Sequence, residues 1–430
     1  MRLRRLFAKT PFWTAEEIRR YQEKKLAPII RQAFDNVPVY RRLFALAGII
    51  PEDIRTIDDL KKLPRTRKED LRNKGGEFLA DNAGRYDPRI YATSGTAGAP
   101  TKLWLDREAR ALEFVYYWRH WKWAGYKLGN RFAELGSYFF ISANRSDLLT
   151  VEQPYLGRLM INSARIGPGT AKNLEAVLIK WQAEYIKGTA SALYYFARSF
   201  RETGVDNIHF RAAFSTGEVL TPFFRKEIET VFGCRVLDSY GHMEGTVAIS
   251  ECPEGGYHIN DDYGILELVD KRKDEEGRIF AGIVGTSLYN MAMPLLRYEV
   301  GDEVELFTED KGCPCGRQFP LVKAIHGRGE DVIQTPAGYY VTSLYVLPEM
   351  VVGPRFIQFI QDKIDEIRVL IVPGPGWTDE EKSKLVSMLA NMVGEGVSIR
   401  IQEVFREELE TGPSGKFRTV ISRIGVNERP

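Results

Sequence analysis

The first part of the chain carries apolar residues at the spacing of an amphipathic helix. Between residues 14 and 36 they recur every three or four positions, with two glutamates in the first turn. The pattern predicts a helix there, with Thr14 as its N-cap and with Pro28 expected to kink or divide it. Residues 37–41 and 60–64 each contain a proline and are interpreted as linkers between short helices.

A second helical pattern covers residues 108–125 and is rich in aromatic side chains. Two interpretations remain open for them, because aromatic residues pack in protein cores and also line pockets for apolar acids.

The middle of the chain alternates between two periodicities. Short runs rich in β-branched and aromatic residues predict strands over residues 132–141, 212–215 and 236–237. Helical runs cover residues 170–186, 192–201 and 222–232. This alternation predicts a layered α/β domain. Ligands bind such domains beyond the carboxyl ends of strands, which is where residues 215–219 and 238–244 fall.

The last part of the chain is richer in strand-like runs. Short runs at residues 265–269, 278–284 and 303–307 predict a β part of the same domain. From about residue 329 the order is strand, strand, helix, strand. We therefore predict an α/β fold with a large N-terminal domain over residues 1–328, which has layered α/β and β parts, and a small α+β C-terminal domain over residues 329–430.

The composition is typical of a globular protein of more than one domain. The chain has 430 residues, more than one hydrophobic core usually serves, and 44% of them are hydrophobic. Its net charge of +2 does not indicate nucleic acid as a main partner. A transmembrane segment needs about 18 consecutive apolar residues, and no such run is present. The first residues lack the apolar core of a signal peptide, so the sequence predicts a cytoplasmic protein without an integral membrane segment.

One loop has a composition suited to phosphates. Residues 93–102 (TSGTAGAPTK) combine two turn-forming glycines, several hydroxyl groups and a terminal lysine. The same residue types form ordinary surface turns, and the spacing fits neither a Walker A loop nor a dinucleotide-binding fingerprint. The loop alone leaves both interpretations open.

Five short motifs, taken together, resemble one family. They are 93–98 (TSGTAG), 239–244 (SYGHME), 296–302 (LRYEVGD), 326–331 (HGRGED) and 414–418 (SGKFR). Their order resembles the adenylate-forming superfamily of acyl-CoA ligases, and within it the phenylacetate–CoA ligase branch. The resemblance extends from the N-terminal helices to the last residues. It implies an ATP-dependent carboxylate–CoA ligase that acts on an aromatic or apolar acid through an acyl-adenylate.

The resemblance also assigns roles to single residues. It implies that Thr93, Ser94, Gly95 and Thr96 hold the β- and γ-phosphates of ATP, and that Gly217, Glu218, Tyr240 and Gly241 surround the adenine. Glu244 would bind Mg²⁺, a cation that prefers carboxylate oxygens, and Asp302 would accept hydrogen bonds from the ribose. Lys416 would be the catalytic lysine of a mobile C-terminal domain, Asp331 its hinge, and Arg328 a nucleotide contact.

Three cysteines and one histidine form a possible zinc site. Cys252, His258, Cys313 and Cys315 supply the four ligands of a closed structural site. The C-x-C spacing is tighter than the usual C-x₂-C, and from spacing alone buried packing thiols remain an alternative. The flanking segments resemble those of the ligase branch, some of whose members carry zinc there. The resemblance thus implies a structural Zn²⁺ beside the nucleotide site.

The sequence departs from the family pattern in three places. Ala97 replaces a frequent second threonine, Lys102 lies one position beyond the usual lysine, and residues 142–146 lack the glycine-rich stretch that helps to shape the acyl pocket. The sequence therefore does not specify which carboxylic acid is the substrate. His242 is interpreted as a possible acyl-pocket contact, and His120, His209 and His326 as structural side chains.

Three functions stay open. The first is the CoA ligase. The second is an adenylating ligase that passes the acyl group to an amine, a hydroxyl or a carrier-protein thiol, as the resemblance suggests for relatives in biosynthetic and capsule clusters. The third is a non-catalytic nucleotide-binding module. The predicted partners are the acid, ATP and CoA; the oligomeric state is not fixed by the sequence, and a homodimer is left open.

Overall fold

The computed structural model describes residues 2–92, 102–136, 148–274, 277–309, 312–328, 333–336, 340–341, 344, 347–394, 396–411 and 417–424. Its contacts divide the chain into two compact units, each made of two segments. The first unit is Met1–Leu128 with Leu237–His326, and the second is Gly129–Val236 with Gly327–Pro430.

The described helices and strands alternate through both units and give the predicted mixed α/β fold. The α-helices are α1 (Arg2–Phe7), α2 (Ala15–Asn36), α3 (Pro38–Ala47), α4 (Lys68–Lys74), α5 (Arg107–Trp123), α6 (Pro168–Trp181), α7 (Ala190–Glu202), α8 (Pro222–Phe232), α9 (Leu347–Met350) and α10 (Asp379–Val393). Short 3₁₀ turns lie at Thr10–Phe12, Pro51–Asp53, Ile57–Lys62, Gly75–Phe78, Ala83–Tyr86, Pro154–Leu156, Ser163–Arg165 and Arg406–Glu408.

The strands are β1 (Arg89–Ala92), β2 (Lys102–Leu105), β3 (Phe132–Leu135), β4 (Thr150–Gln153), β5 (Arg158–Ile161), β6 (Tyr185–Gly188), β7 (Ala212–Thr216), β8 (Arg235–Gly241), β9 (Ala248–Glu251), β10 (Tyr257–Ile259), β11 (Gly264–Lys273), β12 (Ile279–Ser287), β13 (Tyr298–Leu306), β14 (Leu321–Val322), β15 (Ala324–Arg328), β16 (Ile333–Gln334), β17 (Tyr340–Val341), β18 (Phe356–Lys363), β19 (Glu366–Val372), β20 (Ser398–Glu403) and β21 (Val420–Ser422).

In the first unit, helices and antiparallel strands share one core. β8, β9, β10 and β14 pair in that order, β11, β12, β13 and β15 form a second sheet, and β1 pairs with β2. Apolar side chains from α1–α5 and from these strands form one buried cluster. Burial of this apolar surface at roughly 25 cal/mol per Å² is the main force that holds the unit together.

In the second unit, β3, β5, β6 and β7 are parallel, β4 adds an antiparallel edge, and α6–α8 pack on the sheet. Its C-terminal segment forms a mixed sheet in the order β20, β19, β18, β21, which packs with α10. The order strand, strand, helix, strand that the sequence predicted for this segment is confirmed.

The predicted N-terminal helix is present as one uninterrupted element. The Thr14 hydroxyl accepts a hydrogen bond from the Glu17 N–H at 3.2 Å, and the Glu17 carboxylate accepts one from the Thr14 N–H at 2.8 Å. This reciprocal pair fixes the start of α2. Pro28 lies inside α2 without dividing it.

Three predicted element assignments are wrong. Residues 60–64 are not all linker, because residues 60–62 belong to the 3₁₀ turn Ile57–Lys62. Residues 37–41 are not a linker: Pro38 occupies the first position of α3, where its fixed φ suits the first turn and its missing N–H costs no hydrogen bond. The helix predicted over residues 170–186 ends at Trp181, because Gln182 turns into the left-handed region at φ +54°. The last residues of that pattern belong to β6 instead.

Candidate active site

Several predicted site residues lie outside the described part of the chain. They are Thr93, Ser94, Gly95, Thr96, Ala97, Asp331 and Lys416. For Arg328 the structure describes only the backbone, which belongs to β15. The remaining predicted residues fall in both units.

A hydrogen bond joins two of the predicted nucleotide contacts in the first unit. The Tyr240 hydroxyl, near the end of β8, donates to Asp302 Oδ2 at 2.6 Å. Asp302 lies in β13 rather than in a turn, directly after Gly301, whose φ of +86° favours glycine. Gly241 ends β8, and a Cβ there would meet no atom within 4 Å, so the backbone at this edge is open to a ligand.

Glu244 is a buried carboxylate, 7% exposed, with a partner on each oxygen. Tyr298 donates its hydroxyl to Oε1 at 2.7 Å, and His242 Nδ1 lies 3.0 Å from Oε2. Burial raises the pKa of Glu244, but hydrogen bonds from His242 and Tyr298 outweigh it and lower that pKa to about 2. The carboxylate is therefore ionised at neutral pH. Each oxygen keeps a second lone pair, so the group can still accept a hard cation.

His242 is held on both sides of its ring. Its Nε2 lies 3.1 Å from the hydroxyl of Thr246, and its ring stacks on Tyr298 with 6.1 Å between centroids. The structure thus gives His242 contacts with Glu244 and Thr246, whereas the sequence suggested an acyl-pocket contact. The sequence analysis missed Tyr298, although it belongs to the motif at 296–302.

In the second unit, the loop between β7 and α8 carries the other two predicted adenine contacts. Gly217 adopts φ +81° in this turn. Glu218 Oε1 accepts a hydrogen bond from the backbone N–H of Phe417 at 3.1 Å. Phe417 directly follows Lys416 in the sequence, so the loop at Glu218 contacts the chain next to the predicted catalytic lysine.

Five aromatic residues, at positions 138–140, 194 and 195, fit either a pocket for an aromatic acid or the core, and two of them are core residues. Tyr194 is fully buried and stacks on Phe224 with 4.5 Å between ring centroids. Tyr195 is also buried and packs against Phe356. Tyr138, Phe139 and Phe140, the other candidates, lie outside the described residues.

The aromatic residues of α5 divide between core and surface. Tyr116 is buried and donates its hydroxyl toward the carbonyl oxygens of Ile249 at 2.9 Å and Tyr240 at 3.2 Å. Phe114, in contrast, is 80% exposed. The Tyr116 hydroxyl therefore contacts the backbones of both β8 and β9 through hydrogen bonds.

The four predicted zinc ligands converge in the first unit. Cys252, His258, Cys313 and Cys315 place their ligand atoms within 4.8 Å of one another. Cys252 and Cys313 have 3.5 Å between sulfurs, and Cys315 Sγ lies 3.2 Å from His258 Nε2. Tetrahedral ligands about 2.0–2.3 Å from zinc lie roughly 3.3–3.8 Å from each other, so the spacing fits this ion.

The chemistry of the donor set fits as well. His258 Nδ1 lies 3.2 Å from the Phe319 carbonyl oxygen, which fixes a tautomer with Nε2 free to bind a metal. Burial lowers the pKa of His258 to about 4, so its ring is neutral. Burial raises the pKa of Cys252 to about 12, whereas at Cys315 hydrogen bonds from Arg317 outweigh burial and lower the pKa. A bound dication favours the thiolate form of every such sulfur.

Comparison with known proteins shows which families this chain resembles. The family described as CapK C-terminal domain matches residues 340–423. A phenylacetate–coenzyme A ligase of Thermus thermophilus is 28% identical over 370 residues, which cover 83% of this chain and 81% of that protein. Protein CapK of Staphylococcus aureus is 26% identical and covers 86% and 81%, respectively.

Among solved structures, a 2-hydroxyisobutyryl-CoA ligase in its postadenylation state superposes with a TM-score of 0.74 at 19% identity, over 96% of this chain and 91% of that one. This similarity shows a common fold. With the relatives above, it confirms the predicted resemblance to the phenylacetate–CoA ligase-like branch of the adenylate-forming superfamily. In the described part of the chain, no helix has the length and hydropathy required to cross a bilayer.

Proposed function

We propose that this chain, which resembles phenylacetate–CoA ligases over more than four fifths of its length, is an ATP-dependent carboxylate–CoA ligase. The observation that carries the proposal is the hydrogen-bond network at the end of β8, which includes Glu244 and Asp302. There Glu244 is buried and ionised, and Asp302 accepts a hydrogen bond from Tyr240. These two carboxylates are the residues to which the resemblance assigns magnesium and ribose binding. One such carboxylate would bind the cation of a nucleotide, and the other would accept hydrogen bonds from its ribose.

The reaction has two steps. A carboxylate oxygen of the acid attacks the α-phosphorus of ATP, an acyl-adenylate forms, and pyrophosphate leaves with its electron pair. The CoA sulfur then attacks the acyl carbonyl carbon, AMP leaves, and the thiol proton passes to solvent. Both steps depend on positioned charge more than on an acid or a base.

The roles of the residues are those that the resemblance implies, and their chemistry supports them. Glu244 would hold Mg²⁺ against the phosphates, and Asp302 would accept hydrogen bonds from the ribose hydroxyls while Tyr240 orients it. As the resemblance implies, Gly217, Glu218, Tyr240 and Gly241 would surround the adenine, and Arg328 would contact the nucleotide. Thr93, Ser94, Gly95 and Thr96 would hold the terminal phosphates, and the Lys416 ammonium would bridge the acid and the α-phosphate. We propose an aromatic or apolar acid as the substrate.

A second candidate differs only in the acyl acceptor. The match of residues 340–423 to the CapK C-terminal domain family and the similarity to protein CapK leave the acceptor open. An amine, a hydroxyl or a carrier-protein thiol would use the same adenylation residues. The acceptor must therefore be tested separately from the acid.

A panel of aromatic and apolar carboxylic acids separates these functions. With ATP and Mg²⁺, the right acid is expected to support exchange of labelled pyrophosphate into ATP without CoA. Steady AMP release is expected only after CoA is added. Exchange without CoA-dependent AMP release would point to another acceptor, and absence of exchange with every acid would favour a non-catalytic nucleotide-binding module.

The four-ligand cluster is proposed to hold a structural Zn²⁺. With four protein ligands no coordination position remains for a substrate, so the ion would join the hairpin of β9 and β10 to the turn around residues 313–315. The ion would thereby stabilise this part of the first unit without taking part in catalysis.

We expect protein purified without chelators to contain about one equivalent of zinc, and the Cys315→Ser variant to contain far less. The variant should also unfold at a temperature several degrees lower, because each kcal/mol of lost stability shifts the midpoint by about 2–4 °C in a unit of this size. Elemental analysis and thermal unfolding provide the measurement. Cys234→Ser is the control, because this buried thiol lies outside the cluster and its loss should leave the zinc content unchanged. A zinc content below about a tenth of an equivalent in the unaltered protein would exclude the site.

A further inference from the structure

We propose that Arg355 and Glu202, assisted by Arg406, are positioning residues for the adenylation step. They hold the C-terminal segment of the second unit on the layer formed by α6–α8, in the arrangement where Phe417 contacts Glu218. The proposal rests on the proposed function, because it concerns the half-reaction that Lys416 would serve.

The first contact is an ion pair with two donors. Glu202 is the last residue of α7, and Arg355 immediately precedes β18. The Arg355 guanidinium donates from Nη2 to Glu202 Oε2 at 2.7 Å and from Nε to the same oxygen at 3.0 Å. Arg198, one helical turn before Glu202, donates to the other oxygen at 3.0 Å.

This ion pair is well shielded from water. The side chains of Arg198 and Glu202 are each 10% exposed, and that of Arg355 is 27% exposed. Burial alone would raise the pKa of Glu202, but the two guanidinium groups hold it below its usual value. Separation of the segment that carries Glu202 from the segment that carries Arg355 would leave poorly solvated charges without their partner. The ion pair therefore disfavours this separation.

The second contact involves Arg406, which opens the 3₁₀ turn after β20. Its Nη1 donates to the backbone carbonyl oxygens of Ser163 at 3.1 Å and Ile166 at 3.3 Å. The guanidinium carbon also lies 4.1 Å above the centroid of the Tyr195 ring. A lysine could not reproduce this planar, stacked geometry.

Aromatic side chains connect these contacts to the predicted nucleotide loop. Phe356 follows Arg355 and lies 5.3 Å from the ring of Tyr195 and 5.1 Å from that of Phe417. The Phe417 N–H is bonded to Glu218. The ion pair, the aromatic cluster and the residue after Lys416 therefore form one continuous set of contacts.

These contacts bear on one half-reaction only. Lys416 would be needed while the acid attacks ATP, and not while the thiol attacks the acyl-adenylate. Interactions that stabilise the arrangement seen here therefore accelerate the first step without assisting the second. Their loss should change the ratio of the two rates, which a general loss of stability would not do.

The test compares Arg355→Met, Glu202→Gln and the double variant. Each single variant is expected to lower acid-dependent pyrophosphate exchange about tenfold, and the double variant by scarcely more, because both remove the same contact. Thioester formation from a supplied acyl-adenylate should stay within about twofold of the unaltered rate. Arg355→Lys, which loses the two-donor geometry, should fall in between. Equal loss of both half-reactions would overturn the proposal.

Arg368→Met is the matched control. Arg368 pairs with Asp362 and Glu410, all within the C-terminal segment, so its loss should leave both half-reactions unchanged. An equal effect of this variant on exchange would show that any weakening of the segment suffices, and would contradict a specific role for Arg355.

A distance measurement decides the structural part without any substrate. An unnatural amino acid with a keto group is placed at positions 179 and 384, which lie in exposed parts of α6 and α10, and each keto group is coupled to a spectroscopic label. The distance between the two labels reports the separation of the two segments. A single narrow distance is expected for the unaltered chain, and a broader distribution for Arg355→Met. An unchanged distribution would overturn the proposal. If no acid supported exchange, the proposed function would fail while this measurement still tested the contact.

Discussion

The Lys416→Ala variant is expected to lose carboxylate-dependent pyrophosphate exchange almost completely while it still forms thioester from a supplied acyl-adenylate. When the acid attacks ATP, negative charge gathers between the carboxylate and the α-phosphate, and the Lys416 ammonium would neutralise it. Loss of one such group from an enclosed site costs about 10²–10³-fold in rate. The second step has no comparable requirement at this position.

Half-reaction assays with matched variants make the result specific. Lys363→Ala removes another lysine of the same C-terminal segment, an exposed one at the end of β18, and should leave exchange unaltered. Exchange that survives in Lys416→Ala at the unaltered rate would show that another cation serves the adenylation step.

The Glu244→Gln variant is expected to lower exchange about 100-fold and to require more Mg²⁺ for half-maximal rate. The amide keeps the shape of the side chain but removes the charge that attracts a hard cation. Because Glu244 is buried and bonded to Tyr298 and His242, the variant still has partners and should fold. A magnesium titration of the exchange rate, with thermal unfolding in parallel, gives both readouts.

Tyr298→Phe separates the charge of Glu244 from its orientation. It removes the hydroxyl donor on Oε1 and leaves the carboxylate in place. We expect a loss of only about tenfold, the size associated with a single partner of a metal-binding group. A magnesium dependence of Glu244→Gln equal to that of the unaltered protein would exclude Glu244 as the metal-binding group.

The secondary structure was predictable wherever a local signal was strong. Thr14 and Glu17 fix the start of α2 within four residues, and Thr378 does the same for α10. A local signal also led to a wrong prediction at Pro38, because proline is common both in linkers and in the first turn of a helix. The left-handed turn at Gln182 had no visible signal, since glycine is the residue expected there.

The sequence motifs indicated candidate site residues, but not the hydrogen bonds that join them. Tyr240 and Asp302 are 62 residues apart, and Tyr298 and Glu244 are 54 apart. Nothing in the local sequence encodes such pairs, because each joins a residue at or after the end of β8 to a residue of β13, which lies in a different sheet. The Cys/His cluster proposed to bind zinc was the exception, because three thiols and an imidazole near glycine-rich turns predict a metal site from residue type alone. The independent movement of residues 329–430 stays a prediction.

The two-segment construction of each compact unit also affects how the chain folds during synthesis. Residues 1–128 cannot complete their core until residues 237–326 have emerged, and residues 129–236 await the C-terminal segment. At roughly 5–20 residues per second, the intervening stretch of about 110 residues takes some 5–20 s to synthesise. Apolar faces of unfinished units stay exposed for that time, so we expect nascent chains of this protein to be chaperone clients and C-terminal truncations to aggregate.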